Sequence, residues 1–314
     1  MPISARWAIS IGILGFLLTR VDIRQAASLL VASDVGFVAL AIATAIIARL
    51  MTAYRWYVLT RHVAADVKYW YLARLTFSAN FIGTFLPGTI GIDAVRAYGL
   101  AKTTSSTTLS VSTLIVERVL GLITMMAFVL VGLQFAPPGL PKSLELLAIA
   151  GLVIVAAGVA LACNRRAVNI ATDFMRKHLS SKVYSFVGDY FIYFYAYARS
   201  SGLMFISALL AVVMQLLRVI QLYFGACAFS PDIPFFYFLI FAPIVTFIIQ
   251  IPFSIGGIGV REGAYIFLFG LVGVSSETAF TISIMYFLVG FIAVLPGAAF
   301  YASGGLVQSS GDNK

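Results

Sequence analysis

Long apolar runs recur along this chain, and their length constrains the fold more than any other feature. A helix rises about 1.5 Å per residue, so roughly 20 apolar residues cross the hydrocarbon core of a bilayer. Six segments are predicted to span it: 5–20, 35–57, 107–134, 143–163, 202–228 and 279–303. Of the 314 residues 61% are hydrophobic and 11% are charged, against about 25% charged in soluble domains. The sequence therefore predicts an all-α polytopic membrane protein, with residues 1–314 forming one integral membrane domain.

Two further apolar regions, 71–95 and 234–275, contain residues that break helices. Broken backbone at membrane depth is tolerated only where it faces protein or a water-filled cavity. Each region is therefore predicted to form a re-entrant hairpin, and the alternative is one ordinary helix with a glycine kink. The residues expected at the hairpin turns are Asn80, Pro87, Gly88, Gly91, Pro252, Gly256, Gly257 and Gly259.

The distribution of Lys and Arg supports the first hairpin. The basic segments 55–70, which begins with Arg55, and 164–201 are both expected on the cytoplasmic side. They lie on the same side only if region 71–95 enters and leaves the membrane on one face. Under this topology thirteen Lys and Arg are cytoplasmic, four lie outside and four lie at membrane depth. Both termini are then cytoplasmic, and 164–201 is a basic, aromatic cytoplasmic insertion.

The two broken regions also repeat one pattern. Residues 87–96, PGTIGIDAVR, align without gaps with residues 252–261, PFSIGGIGVR. Five positions are identical, and each segment ends in an arginine. With the second hairpin entering from outside, the chain divides into pseudo-repeats of about 5–134 and 143–303 with opposite orientation. Secondary transporters share this inverted-repeat plan, with a site where the broken elements meet.

Charged residues at membrane depth mark the candidate site, because a charge at the bilayer centre costs roughly 2.5–3.5 kcal/mol. Arginines outnumber acids there, which indicates an anionic ligand, and the arginine fork suits phosphate. The arginines expected to bind a lipid headgroup are Arg96, Arg118, Arg218 and Arg261. Asp93, Glu117 and Glu262 are expected to pair with them or to couple protons. Structural pairs, such as Glu117 with Arg218 or Arg118 with Asp93, are the alternative.

Enzyme signatures are weak in this sequence. It contains no phosphate-binding loop of the ATPase type, no cysteine–histidine metal spacing and no catalytic triad that could form in the membrane. We therefore expect no cofactor, no metal and no catalytic residue. The net charge of +9 is explained by cytoplasmic loops rather than by a nucleic-acid partner.

Three motifs resemble those of one membrane family. Asn80 followed by Pro87–Arg96, then Glu117–Gly121, then Pro252–Glu262 occur in the order found in the flippase-like membrane domain of lysylphosphatidylglycerol synthases. The resemblance covers about residues 5–305. One departure is Pro87-Gly-Thr-Ile-Gly-Ile-Asp93, where the family often has Pro-Gly-Gly-x-Gly-Gly-Asp. Since the chain ends at Lys314, the aminoacyl-transferase domain of the synthases is expected to be missing.

The resemblance implies translocation of an anionic or amphipathic lipid across a bacterial or archaeal cytoplasmic membrane. Candidate lipids are an anionic phospholipid, a polyprenyl-linked sugar and a hopanoid-related lipid. Two alternatives remain open: an integral-membrane enzyme that modifies lipids through Asp93 or Glu262, and a membrane partner of a separate lipid or glycolipid synthase.

Overall fold

The computed structural model describes residues 3–86, 90–136, 140–164, 166, 168–169, 197, 199–250, 254 and 256–303, which form helices and no strand. The helices are α1 (Ile3–Leu18), α2 (Ile23–Val31), α3 (Val35–Val63), α4 (Tyr69–Gly83), α5 (Ile90–Thr104), α6 (Thr107–Phe135), α7 (Lys142–Cys163), α8 (Ser201–Cys227), α9 (Phe235–Gln250), α10 (Val260–Gly270), α11 (Ser276–Val294) and α12 (Pro296–Ala302). The predicted all-α class is confirmed.

Five stretches of helix in the described part of the chain are long and apolar enough to cross a membrane. They are Val35–Val63, Thr107–Phe135, Lys142–Leu161, Ser201–Cys227 and Ser276–Ala302, and they match five of the six predicted spans. The remaining predicted span, 5–20, corresponds to α1, whose 16 residues fall short of the roughly 20 needed. Many apolar side chains on α7 and α8 are exposed, as expected of helix faces that lipid covers.

Both predicted breaks are present in the backbone. Helix α4 ends at Gly83 and α5 begins at Ile90, while α9 ends at Gln250 and α10 begins at Val260. In each case the two helices pack against each other, and we call them the first and second broken pairs. Whether each pair enters and leaves on one membrane face stays a prediction. Pro87, Gly88 and Pro252 lie outside the described residues, as does most of the insertion 164–201.

Helix packing follows the same scheme in both halves. In the first half α3 packs on α4, α4 on α5 and α5 on α6; in the second, α8 packs on α9, α9 on α10 and α10 on α11. Between the halves, α3 of the first half contacts α11 of the second, and α8 of the second half correspondingly contacts α6 of the first. The helices α3 and α8 also pack against each other. Such pairing is expected of two related repeats, and their opposite orientation across the membrane stays a prediction.

Glycines allow the closest approaches between elements. Gly259 has a φ of +81°, and a Cβ there would lie 3.0 Å from the carbonyl oxygen of Ser10 in α1. A Cβ on Gly297 in α12 would overlap the backbone carbonyl of Phe77 in α4. The backbone of the second break therefore lies close to that of α1, and the backbone of α12 lies close to that of α4.

Candidate functional site

Two adjoining cavities lie where the broken pairs meet. The first has a volume of about 230 Å³ and is lined by residues of α3, α4, α5, α6, α8, α9 and α11, in which charged and polar side chains stand among apolar ones. The second, of about 200 Å³, lies between the two breaks and is lined by Gly83 and Thr84 on one side and by Gly256 and Gly257 on the other. Arg49, Asn80 and Tyr286 line both cavities.

The meeting of the breaks depends on backbone that only glycine adopts readily. Gly256 and Gly257 have φ values of +58° and +78°, which place both in the left-handed region. A Cβ on Gly256 would lie 3.3 Å from the backbone oxygen of Thr84. The two breaks are thus in backbone contact, as the predicted meeting of broken elements requires.

A buried glutamate joins two arginines in the first cavity. Glu117 of α6 is 3% exposed and accepts from Arg96 Nη2 of α5 at 2.8 Å. Arg55 of α3 donates from Nε to the same carboxylate at 3.3 Å and from Nη2 to the Glu117 backbone oxygen at 3.2 Å. One carboxylate therefore connects α3, α5 and α6, and the triad keeps a net charge of +1.

This triad bears on two expectations from the sequence. Arg55 was expected at the end of the span 35–57 and in the basic segment 55–70; α3 continues to Val63, and Arg55 is 6% exposed inside the bundle. Its charge is tolerated there because Glu117 neutralises it. The suggested pair of Glu117 with Arg218 is not formed, because the carboxylate is occupied by Arg55 and Arg96.

Arg118 is held by the other acid of the first cavity. Asp93 of α5 accepts a short hydrogen bond from Arg118 Nε, which confirms the second suggested pair. Arg118 also donates from Nη1 to Gln250 Oε1 at 3.1 Å. Gln250 is the last residue of α9, so Arg118 links α6 to both broken pairs.

The second cavity contains its own ion pair. Arg261 and Glu262 lie in the first turn of α10, are 6% and 1% exposed, and are bonded to each other. Glu262 also accepts from the backbone N–H of Gly259 at 2.6 Å, which caps the helix, and from Ser283 Oγ at 3.0 Å. Each of its oxygens has a protein donor, so this carboxylate is fully engaged.

The arginines at the matching positions of the two repeats have equivalent surroundings. Arg96 lies over the ring of Trp56 at 4.1 Å and bonds Glu117, while Arg261 lies over the ring of Phe287 at 4.9 Å and bonds Glu262. Both are buried. The sequence repeat thus corresponds to a repeated local structure, an arginine held between a glutamate and an aromatic ring.

Arg49 and Arg218 differ from every other arginine of the first cavity. Within the described residues neither has a hydrogen bond or an ion pair, and Arg49 Nε is buried without a partner. They lie on α3 and α8, the helices at equivalent places in the two halves. Gln215 and Gln221, which flank Arg218, are each 2% exposed, so the predicted polar face of α8 does point into the bundle.

The charges lining the first cavity do not balance. Five arginines, Arg49, Arg55, Arg96, Arg118 and Arg218, face two acids, Asp93 and Glu117. The excess is three positive charges, and both acids are already engaged by arginines. Buried charges of one sign are costly without a counter-ion, so this cavity suits an anionic ligand.

A comparison with known families assigns this chain to one of them. The family model described as the lysylphosphatidylglycerol synthase TM region matches residues 3–297. The chain belongs to this family. It is therefore a multi-pass membrane protein of a family associated with membrane lipids. A comparison with curated proteins gives no match.

The structure collects most of the predicted site residues but divides them between the cavities. Those lining the first cavity are Arg96, Arg118, Arg218, Asp93, Glu117 and Asn80; those lining the second are Arg261, Gly256, Gly257 and Asn80. Gly259 and Glu262 support the second cavity from α10, and Gly91 lies in the first turn of α5. The predicted ligand and coupling roles of these residues stay predictions.

Six residues with polar side chains that line the first cavity were not among the predicted site residues: Arg49, Thr52, Arg55, Thr246, Gln250 and Tyr286. Arg49, Thr52 and Arg55 are three residues apart, which places them toward one side of a helix. That spacing could have indicated a second polar face, on α3. For Tyr286, an aromatic residue in an apolar span, the sequence contains no such signal.

Proposed function

We propose that this protein translocates a lipid with an anionic, phosphate-containing headgroup between the leaflets of the cytoplasmic membrane. The observation that carries the proposal is the pair Arg49 and Arg218, two arginines that face one cavity and have no counter-ion among the described residues. Arginine donates two parallel hydrogen bonds to phosphate oxygens. Two such forks on different halves of the molecule could bind one headgroup from both sides.

The size of the cavity agrees with a headgroup as ligand. About 230 Å³ is less than the roughly 300–1,000 Å³ of sites that enclose a whole drug-sized molecule. Acyl chains would therefore remain in the bilayer while the headgroup enters the bundle. The second cavity adjoins the first at Arg49 and Tyr286, so the two cavities together extend along both breaks.

The environment of the acids favours transport over lipid chemistry. An enzyme that modifies lipids would need an acid or base free to meet its substrate. Asp93 is bonded to Arg118, and Glu262 is bonded to Arg261, Ser283 and Gly259. The role of membrane partner to a separate synthase remains the alternative, and it predicts no lipid movement by the purified protein.

The proposal is tested by reconstituting the protein in liposomes that contain a fluorescent phosphatidylglycerol and measuring its exposure to an impermeant quencher. Arg49→Ala and Arg218→Ala each remove one unpaired cation. Losing a charge-assisted hydrogen bond should slow lipid exchange about tenfold or more. Arg218→Lys keeps the charge but loses the fork, and it should restore exchange only in part.

Arg74→Ala is the matched control, because Arg74 is an exposed arginine of α4 that lines neither cavity. Its exchange rate should equal that of the unaltered protein. Melting temperatures of all variants separate loss of function from loss of fold. Normal exchange by folded Arg49→Ala and Arg218→Ala proteins would refute a headgroup site at these residues. Absence of exchange by the unaltered protein would refute translocation itself.

A further inference from the structure

The positive charge of the first cavity is concentrated at two side chains. Arg118 is paired with Asp93, which also lies 3.7 Å from Arg96, so that Arg55, Arg96 and Arg118 share the two acids Asp93 and Glu117 and keep one positive charge. The other two excess charges are those of Arg49 and Arg218, which have no partner in the described part of the chain. The ligand therefore faces two full, uncompensated positive charges.

The second cavity adds nothing to this excess. Arg261, the one further arginine lining it, is bonded to Glu262. Among the described residues, the remaining charged side chain that lines it is that of Arg49, which it shares with the first cavity. Two of the three excess positive charges thus lie on Arg49, at the junction of the cavities, and on Arg218, in the first cavity.

We infer that the site is matched to a phosphate group carrying at least two negative charges, a phosphomonoester or a diphosphate. This inference rests on the proposed function and names its substrate class. One phosphodiester brings a single negative charge and leaves one of the two arginines unneutralised in a low-dielectric cavity. Two arginine forks offer bidentate contacts that a dianion with three or more free oxygens can fill on both sides.

The same reasoning excludes an aminoacylated lipid as the preferred ligand. A lysyl ester adds ammonium groups beside its phosphate, so its headgroup is cationic overall. It would bring further positive charge into a cavity that already has an excess of three, and like charges at short range repel strongly where water is excluded. Membership of a family described by lysylphosphatidylglycerol therefore does not make that lipid the substrate of this chain.

The test compares four probes with the purified full-length chain: phosphatidic acid, phosphatidylglycerol and lysylphosphatidylglycerol with identical acyl chains in mixed micelles, and inorganic pyrophosphate in solution. Phosphatidic acid should bind about tenfold more tightly than phosphatidylglycerol near pH 8. Lysylphosphatidylglycerol should bind most weakly. The advantage of phosphatidic acid should shrink as the pH falls to about 5, because a phosphomonoester regains its second proton near pH 6.

Variants assign the preference to the two arginines. In Arg49→Gln and Arg218→Gln the cavity loses one uncompensated charge, so phosphatidic acid and phosphatidylglycerol should bind within about twofold of each other. Arg49→Lys should keep the preference, and it covers the case in which the glutamine variant does not fold. Arg74→Gln is the control, and it should keep the affinities and the pH dependence of the unaltered protein.

The outcomes separate this inference from the proposed function. Equal binding of phosphatidic acid and phosphatidylglycerol near pH 8, with both lipids exchanged in liposomes, would overturn the dianion inference and leave translocation standing. Binding of pyrophosphate without binding of any lipid would overturn lipid translocation and support a dianion site for a soluble phosphate. A preference that persists unchanged in Arg49→Gln and Arg218→Gln would overturn the assignment to these arginines.

Discussion

Replacing Glu117 by glutamine tests the buried triad. The substitution keeps the shape of the side chain but removes the charge that compensates two guanidinium groups. Arg55 and Arg96 are 6% and 5% exposed and lie 3.1 Å and 2.8 Å from the carboxylate. Breaking a buried ion pair by removing one partner costs about 3–5 kcal/mol, because an unpaired charge is left behind. A neutral side-chain hydrogen bond within a membrane is worth only about 0.6 kcal/mol. A loss of several kcal/mol on Glu117→Gln would therefore indicate a buried ion pair, and a loss below about 1 kcal/mol would indicate an ordinary hydrogen bond.

The measurement is thermal unfolding of the purified protein in detergent, followed by intrinsic fluorescence. At roughly 2–4 °C per kcal/mol, Glu117→Gln should lower the melting temperature on the order of 10 °C. Glu145→Gln is the matched control, since Glu145 is exposed in the first turn of α7. It should change the free energy of unfolding by less than about 1 kcal/mol.

A second substitution identifies the partner. Arg55→Gln added to Glu117→Gln removes one of the stranded charges, so the double variant should be more stable than the sum of the single effects by at least about 1 kcal/mol. Arg218→Gln added to Glu117→Gln should give no such rescue, because Arg218 is not bonded to this carboxylate. A Glu117→Gln protein that melts within about 2 °C of the unaltered one, or rescue by Arg218→Gln alone, would refute the triad as the stabilising element.

Two further predictions concern topology and packing. The topology is tested by introducing single cysteines in a background without native cysteines and treating intact cells with an impermeant thiol reagent. Cysteine at position 28 should be labelled, and cysteine at positions 62 and 104 should be shielded. Labelling at 104 with shielding at 62 would mean that the first broken pair crosses the membrane. Gly297→Ala should destabilise the protein by about 1–3 kcal/mol, since the new methyl group meets the Phe77 carbonyl. Gly158→Ala, in α7 with open space around it, should leave the melting temperature unchanged or slightly raised, and equal effects of the two substitutions would contradict the close packing of α12 on α4.

The sequence predicted the elements of the fold well because the signals for them are local. The length of an apolar run determines whether a helix can cross a bilayer, and five of the predicted spans appear as helices of that kind. The breaks follow from clustered glycine and proline, and three of the glycines in the second break have positive φ. The sequence did not predict the burial of Arg55, which was counted with the basic segment 55–70 because Lys and Arg are enriched in cytoplasmic segments.

Only the tertiary structure decided which charges remain without a partner. Glu117 pairs with Arg55 and Arg96, which are 62 and 21 residues away, and Arg118 reaches Gln250 across 132 residues. Composition and spacing show that arginines outnumber acids at membrane depth, but each acid can pair with any arginine that packing brings within reach. The packing of α3, α5, α6 and α8 makes that choice, and it leaves Arg49 and Arg218 facing the cavity, because no carboxylate of the described residues lies within bonding distance of either.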